Sequence, residues 1–437
     1  MRRRDVTSLL LTALATAGCG LFKDKKAPLP GERISVLGLD RHHEPDPTLA
    51  GTTVTLPQPV RNPDWPEPGG APSHAMAHLS LPPSLKEAWR TSIGDGSARY
   101  TRVLSQPVVA KGRIFAMDGG VQVSALDPAG GGRIWRIDLK PEETRGNAFG
   151  GGPCFWNDRL FVATGYAQVC AIDPADGKVI WRQNLAAPVH SAPTVADGRV
   201  FAVTVENELN VLSADDGRRL WTHNGIPETA GLLGGASPAV EGEIVVAAYN
   251  SGELFALRVE NGRALWSESF SSRRGVDAVS SLADIRGRPV IDRGRVIAVS
   301  HSGRMAAIDL RRGDRAWEKD IGSSHGPWVA GDYVFVLAND NELVCLQRSD
   351  GKIRWVQQLQ RYEDEKDKSG AIRWAGPVLG GDRLIALSSA GEAVSLSPYT
   401  GQPIGSQKMS AGGYLGPVIA DDALYLLTDD ANLSAYR

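Results

Sequence analysis

One eleven-residue pattern occurs seven times along the chain. Each copy carries a glycine four positions before its last residue, as in ALDPAGGGRIW, AIDPADGKVIW and VLSADDGRRLW. The copies end at Trp135, Trp181, Trp221, Trp266, Trp317, Trp355 and, in a decayed seventh copy, Gly405. A repeat of about 40 to 50 residues with strand and turn chemistry indicates a toroidal or solenoid β array.

A single repeat contains four β-rich runs. In residues 190–221 these runs are 192–196, 200–205, 208–213 and 218–221, and Gly, Asn or Asp residues separate them. Such residues tolerate the positive φ angles of tight hairpin turns. Four short antiparallel strands per repeat are typical of a β-propeller blade.

The repeated tryptophan has a structural role in this interpretation. Adjacent blades pack face to face, and an indole that fills the gap buries roughly 150–250 Å². The glycine is predicted to form the turn that places its own Trp. We therefore assign blade packing, and no ligand role, to Trp89, Trp135, Trp181, Trp221, Trp266, Trp317 and Trp355.

The repeat count predicts eight blades. Residues 416–437 begin an eighth unit but end before its Gly-x-x-x-Trp strand, while LKEAWRTSI around Trp89 supplies a strand with the expected Trp. Pairing of this N-terminal strand with the C-terminal strands would close the ring and remove exposed sheet edges. The sequence thus predicts an all-β, eight-bladed β-propeller over residues 86–437.

Residues 1–18 have the features of a lipoprotein signal peptide. Three arginines precede an apolar stretch that is too short to span a bilayer. The following Thr16-Ala17-Gly18-Cys19 resembles the bacterial lipobox, with Thr where Leu is usual, so we expect lipidation of Cys19. Gly20, the residue directly after this cysteine, favours localisation at the outer membrane. An ordinary cleaved signal and twin-arginine export are the alternatives.

Residues 19–85 are predicted to be a lipid-anchored, Pro-rich tether. Twelve of the 27 prolines of the chain fall here, and such a composition is typical of extended segments that do not pack a core. His42, His43 and Glu44 are interpreted as part of this solvated linker, so no metal site is expected.

The charge of the chain argues against binding to nucleic acid. A formal net charge of −2 gives no basic surface for nucleic acid.

The sequence allows two states for the cysteines of the propeller. Cys154 and Cys170 either form a disulfide or are buried free thiols. We favour free thiols for Cys154, Cys170 and Cys345, because strands two apart lie roughly 9–10 Å from each other, beyond disulfide range.

The blade-to-blade crossings are long and share one face of the ring, whereas the opposite face has short turns. Function tends to lie on long loops held by a rigid scaffold. In the loop 225–235, Leu232 and Leu233 are either an apolar anchor for a partner or packed on their own blade. In the next crossing, Val279 and Leu282 are candidate contacts, with Asp284 and Arg286 as a polar rim.

Signals of catalysis are weak. The sequence contains no Gly-x-Ser-x-Gly, His-Glu-x-x-His, P-loop or Cys-x-x-Cys-His motif. His190 and His325 both fall at blade entrances near the predicted channel, but repeated frameworks place residues there by default. We expect no enzyme activity, no catalytic residue and no cofactor.

The Asp-Pro-x-x-Gly-x-x-x-Trp repeats resemble the quinoprotein-like propeller superfamily, whose enzymes are PQQ-dependent dehydrogenases. The adjacent Cys-Cys pair and the haem motif of those enzymes are missing. Together, the lipobox, the tether and eight short blades resemble the BamB family, lipoproteins of the outer-membrane β-barrel assembly machinery.

The resemblance implies a non-enzymatic periplasmic scaffold at the outer membrane. It implies docking on the POTRA domains of the barrel-inserting subunit BamA, through loops near the fourth and fifth blades, and support for nascent outer-membrane proteins. The family's Leu-x-Leu-Arg falls on residues 230–233, which keeps Leu232 and replaces Arg by Leu233. Its Asp-x-Asp falls on 284–286, which keeps Asp284 and reverses a charge at Arg286. A PQQ-dependent dehydrogenase and a scaffold of another periplasmic complex are the alternatives.

Overall fold

The computed structural model describes residues 42–148, 150–228, 231–271 and 282–437. His43–Arg437 form one compact unit. Within the described ranges the regular structure is β-strand apart from a single 3₁₀ turn, Pro47–Leu49. No helix in these ranges is long and apolar enough to cross a membrane.

Eight four-stranded antiparallel sheets form the blades. Blade 1 comprises β2 (Val108–Ala110), β3 (Arg113–Met117), β4 (Gln122–Leu126) and β5 (Arg133–Asp138), and blade 2 comprises β6 (Gly152–Trp156), β7 (Arg159–Thr164), β8 (Gln168–Ile172) and β9 (Val179–Asn184). Blade 3 comprises β10 (Thr194–Ala196), β11 (Arg199–Val203), β12 (Glu208–Ser213) and β13 (Arg219–Asn224), and blade 4 comprises β14 (Ala239–Glu241), β15 (Ile244–Ala248), β16 (Glu253–Arg258) and β17 (Ala264–Ser269).

The remaining blades follow in chain order. Blade 5 comprises β18 (Val290–Asp292), β19 (Arg295–Val299), β20 (Met305–Asp309) and β21 (Arg315–Lys319), and blade 6 comprises β22 (Trp328–Ala330), β23 (Tyr333–Leu337), β24 (Glu342–Gln347) and β25 (Ile353–Gln358). A small hairpin, β26 (Tyr362–Asp364) with β27 (Ser369–Ala371), precedes blade 7, which comprises β28 (Trp374–Gly380), β29 (Arg383–Ser388), β30 (Glu392–Leu396) and β31 (Pro403–Lys408). Blade 8 combines β32 (Val418–Ala420), β33 (Ala423–Leu427) and β34 (Asn432–Tyr436) with β1 (Glu87–Ser92).

The blades are arranged radially around a central channel. The first strands of successive blades contact one another, so they line the channel, and the fourth strands lie outermost and are largely exposed. Trp89 of β1 pairs with Ala435 of β34, which closes the ring with strands from both ends of the propeller. The predicted eight-bladed propeller and its mode of closure are confirmed.

Each repeat tryptophan packs on the next blade. The Nε1–H of Trp135 in blade 1 donates to the carbonyl of Pro174 in blade 2 at 2.9 Å. Gly177 in the same turn has φ +80°, and a Cβ there would lie 2.9 Å from the Trp135 ring. The glycine therefore receives the Trp of the preceding blade, in addition to forming its own turn. The same pairing joins Trp89 to Gly131, Trp181 to Gly217, Trp221 to Gly262, Trp266 to Gly313, Trp317 to Gly351 and Trp355 to Gly401.

The prediction of an unpacked tether is wrong for residues 43–85, which we call the strap. Trp65 is 1% exposed and stacks on Trp328 of blade 6, with ring centroids 6.3 Å apart. Leu79 and Leu81 are buried as well. Residues 19–41 of the predicted tether, and the signal with Cys19, lie outside the described residues.

The strap crosses the short-turn face of the ring and hydrogen-bonds to the inner strands. Its carbonyls accept backbone N–H groups: Pro66 from Phe155 at 2.6 Å and Pro72 from Val240 at 2.7 Å. Trp65 exchanges two backbone hydrogen bonds with Val109. Proline lacks an N–H but keeps its carbonyl, so a Pro-rich segment can satisfy strand edges without leaving donors unpaired. Composition alone does not reveal such a contribution.

The three described cysteines are buried free thiols. Cys154 lies on β6 and Cys170 on β8, with β7 between them. The Cys154 thiol donates to the Glu67 carboxylate of the strap at 3.7 Å. Burial raises the pKa of each of the three thiols, which is typical of structural rather than reactive cysteines.

Candidate functional site

The loop from β13 to β14 presents the predicted apolar anchor. Leu233 is 38% exposed, and Leu232 is half-buried. Ile226 in the same loop is 57% exposed, and sequence reasoning missed it although it is the first apolar residue after Gly225. This loop therefore carries an apolar surface at its beginning and at its end.

Asp284 fixes the main chain of this loop through a hydrogen bond. It is 4% exposed, and its carboxylate accepts the backbone N–H of Leu232 at 2.7 Å. Burial raises the pKa of Asp284 to about 6, against the opposing effects of the Leu232 hydrogen bond and the Arg286 charge. The expected rim position of Asp284 is wrong, because its side chain supports the loop internally.

Arg286 supports the other half of the loop. Its Nε donates to the Leu233 carbonyl at 2.7 Å, and its Nη1 donates to the Ser324 carbonyl at 3.2 Å. Burial lowers the pKa of Arg286. Gly234, with φ +106°, lets the guanidinium approach, since a Cβ there would lie 2.9 Å from Nε. Arg286 thereby ties this loop to the segment between blades 5 and 6.

Five of the six predicted contact residues lie in the described region, and four of them contact one another. Leu232, Leu233, Asp284 and Arg286 form one assembly through the contacts above, and Leu282 is half-buried at the start of the same segment. Val279 lies outside the described residues, as does Ala230 of the carried-over motif. We call Ile226, Leu232 and Leu233, with their supports Asp284 and Arg286, the loop surface.

A cavity of about 350 Å³ opens beside the loop surface. Its lining includes Leu232, Leu233 and Asp284 together with Asn207 and His190. Burial lowers the pKa of His190. His325 lines a different cavity, so the structure does not bring His190 and His325 together as a pair. The large cavity extends the candidate docking surface between blades 3 and 5.

The strap fills the short-turn end of the central channel. Trp65, His74 and Trp328 line a cavity of about 60 Å³ between the strap and the inner strands. Pockets for cofactor-sized ligands usually measure about 300 Å³ or more. Burial lowers the pKa of His74 to about 3, and burial raises that of Glu67 to about 8. This geometry weighs against a quinone cofactor at this position.

One group of possible metal ligands occurs in the described residues. It joins His43 of the strap to Asp340 and Glu342 of blade 6. The His43 Nδ1 lies 2.6 Å from Glu342 Oε2 and 3.8 Å from Asp340 Oδ2. The interpretation of His43 as a solvated linker residue is thus wrong, since its ring and its backbone N–H both bond Glu342. A hydrogen-bonded clasp for the start of the strap accounts for these contacts.

Eight four-stranded blades with repeated tryptophan–glycine packing define a β-propeller with a tryptophan-docking repeat. The family model described as outer membrane protein assembly factor BamB matches residues 119–357. A BamB of Alkalilimnicola ehrlichii is 31% identical over 80% of this chain and 87% of its own length. A BamB of Yersinia pestis is 26% identical over 81% of this chain and 89% of its own length. This chain belongs to the BamB family.

The solved structures agree at the level of the fold. The crystal structure of BamB from Moraxella catarrhalis superposes with a TM-score of 0.69 and 18% sequence identity, covering 81% of this chain and all of that one. The two sequence relatives above are named assembly factors. The resemblance to the BamB family is therefore confirmed.

Proposed function

We propose that this protein is a non-enzymatic scaffold of the β-barrel assembly machinery at the outer membrane. Membership of the BamB family and the naming of its relatives as outer membrane protein assembly factors support this role. One fold hosts many functions, so the propeller alone does not specify docking, and the residues of the loop surface must do so.

The loop surface is the proposed docking site for the POTRA domains of BamA. The supporting observation is that Asp284 and Arg286 fix the main chain of Leu232 and Leu233 while Leu233 stays exposed. A preorganised apolar residue loses little conformational entropy when a partner covers it. Asp284 and Arg286 act as positioning residues, and the leucine side chains make the contact.

The N-terminal part of the proposal is a lipid anchor at Cys19, on the periplasmic face of the outer membrane. The lipobox-like Thr16-Ala17-Gly18-Cys19 supports it. A Cys19→Ser variant is expected to leave the outer-membrane fraction and to appear in the soluble periplasm. Retention of that variant in the outer membrane would contradict the anchor.

A binding measurement with purified BamA POTRA domains tests the docking site. Leu233→Asp is expected to raise the Kd about tenfold or more, since a charge would enter a desolvated apolar contact. Its melting temperature should not change, because the side chain is exposed.

Ile180→Asp is the matched control for this test. Ile180 is 48% exposed on the outer strand of blade 2, so the same charge is added far from the loop surface and the Kd should stay unchanged. Wild-type affinity in folded Leu233→Asp would overturn the assignment of the loop surface.

A further inference from the structure

The gap between blades 7 and 8 differs from the other seven interblade gaps. In those seven, an indole from one blade packs on a turn glycine of the next. In blade 7, the equivalent position of the outer strand β31 is Gly405. Its register matches, since Ser395 pairs with Gly405 just before the same β-bulge that follows the Ala125–Trp135 pair in blade 1.

Neither the backbone nor the packing requires glycine at position 405. Its φ is not in the left-handed region, and a Cβ built there would meet no atom within 4 Å. Where the indole would lie there is a cavity of about 340 Å³. Its lining includes the apolar side chains of Leu85, Ile385, Ile404, Leu424 and Leu426.

The acceptor that the other indoles use has an equivalent in this gap. In blade 1, Arg113 donates to the Pro174 and Ala175 carbonyls, and the Trp135 Nε1–H donates to the same Pro174 carbonyl. Blades 2 and 5 repeat this arrangement: Arg159 and Trp181 share the Ala214 carbonyl, and Arg295 and Trp317 share the Arg348 carbonyl. The shared carbonyl thus marks the position where an indole N–H is bound.

Arg383 makes the corresponding contacts in blade 7. Its guanidinium donates to the Pro82 and Pro83 carbonyls at the end of the strap. Blade 8 has no turn at this point because its third and fourth strands come from the two ends of the propeller. The strap replaces that turn. The Pro83 carbonyl accepts from the Nη1 of Arg383, as the shared carbonyls do from Nη1 in the other blades, and Pro83 lines the cavity, so it occupies the place of the indole acceptor.

We propose that this gap is a binding site for an aromatic side chain, tryptophan above all, carried on an extended segment of another polypeptide. The cavity supplies apolar walls, and the Pro83 carbonyl supplies the acceptor for the indole N–H. Beside it, β31 is an outermost strand with every residue exposed, and such an edge can pair with an extended chain. This site is independent of the proposed docking of the loop surface on BamA.

Peptide binding to the chain from Gly20 to Arg437, which retains the compact unit His43–Arg437, tests the proposal. The probe is fluorescein-labelled Thr-Val-Trp-Val-Thr, and its control has Ala in place of Trp. By fluorescence anisotropy we expect a Kd of about 1 mM or tighter for the Trp peptide. The Ala peptide should bind about tenfold more weakly, because it lacks the buried indole.

Gly405→Trp should fill the gap from within. It is expected to raise the melting temperature by about 2 °C or more and to weaken binding of the Trp peptide about tenfold. The matched control is Ile180→Trp, which adds an indole next to the Trp181 that already fills its own gap. It should change neither quantity.

Three results would overturn the proposal. They are equal binding of the Trp and Ala peptides, no binding of either peptide, and wild-type binding by a folded Gly405→Trp. If Gly405→Trp does not fold, Ile404→Glu is the variant that tests the site. Ile404 is 54% exposed at the edge of the gap. The introduced charge should weaken binding of the Trp peptide, and unchanged affinity would overturn the assignment.

Discussion

The two faces of the ring differ in how far other segments of the chain cover them. On the short-turn face, the strap covers the channel and uses its carbonyls to bond the inner strands of several blades. On the opposite face, buried Asp284 and half-buried Arg286 hold a loop in which Leu233 remains exposed. The strap buries the first face, whereas an apolar side chain stays exposed on the second. The difference shows that a covered surface and a preorganised surface can be built from equally irregular segments.

The largest expected effect is on the covered face. Trp65→Ala should lower the free energy of unfolding by about 3–5 kcal/mol, since a fully buried indole stacked on Trp328 is removed and leaves a cavity. Chemical denaturation measures this change. Val60→Ala is the matched control on the same strap, because Val60 is 64% exposed and should have little effect.

Equal stability of Trp65→Ala and Val60→Ala would show that the strap only covers the ring without stabilising it. Binding of folded Trp65→Ala to BamA POTRA domains should stay at the wild-type level. A loss of binding would instead show that the two faces are coupled.

A second test concerns Glu67 of the strap. Burial raises its pKa from 4.5 to about 8 in the folded protein. Between these pH values the folded state keeps a proton that the unfolded state releases, so stability falls as the pH rises through this window. Glu67→Gln should remove this contribution, so its gain in stability over wild type should grow from near zero at pH 4.5 to about 4 kcal/mol at pH 8.

The measurement is urea denaturation of both proteins at several pH values in that range. Asp176→Asn is a useful control, since Asp176 is an exposed carboxylate in a blade turn. Parallel pH profiles of wild type and Glu67→Gln would show that the Glu67 carboxyl is ionised in the strap.

The smallest effect on stability is expected on the open face. Asp284→Ala leaves the Leu232 N–H without its acceptor and should cost about 1–3 kcal/mol. Affinity for BamA POTRA domains should nevertheless fall, because the loop is no longer fixed. Asp284→Asn keeps an acceptor oxygen at this position and should largely preserve binding. If Asp284→Ala binds as wild type does, the loop does not need to be preorganised.

The repeat pattern was sufficient to predict the propeller. Alternating apolar residues and positive-φ turn residues specify each hairpin locally, so the strands of residues 190–221 and the closure by the Trp89 strand follow from the sequence. For the glycine of each repeat, the sequence predicted the turn but not the packing against a tryptophan, because that Trp lies about one repeat earlier in the chain.

The candidate site was predicted less completely. Leu232, Leu233, Asp284 and Arg286 were singled out from loop length and resemblance, but Asp284 was placed at the rim although it is buried. Charge alone does not tell whether a carboxylate faces water or a backbone N–H some 50 residues away. The same limit hid the contact between His43 and Glu342, which are separated by 299 residues.

The sequence by itself determined the eight-bladed ring, since that architecture depends on a short-range pattern that is repeated along the chain. Only the tertiary structure decided what the single-copy segments do. The strap covers the channel because carbonyls of Pro66 and Pro72 meet unpaired N–H groups of inner strands far along the chain. The cavity at Gly405 is likewise lined by Pro83 of the strap and by Arg383 of blade 7. Contacts of this kind depend on where the folded ring places each strand edge, which no local pattern encodes.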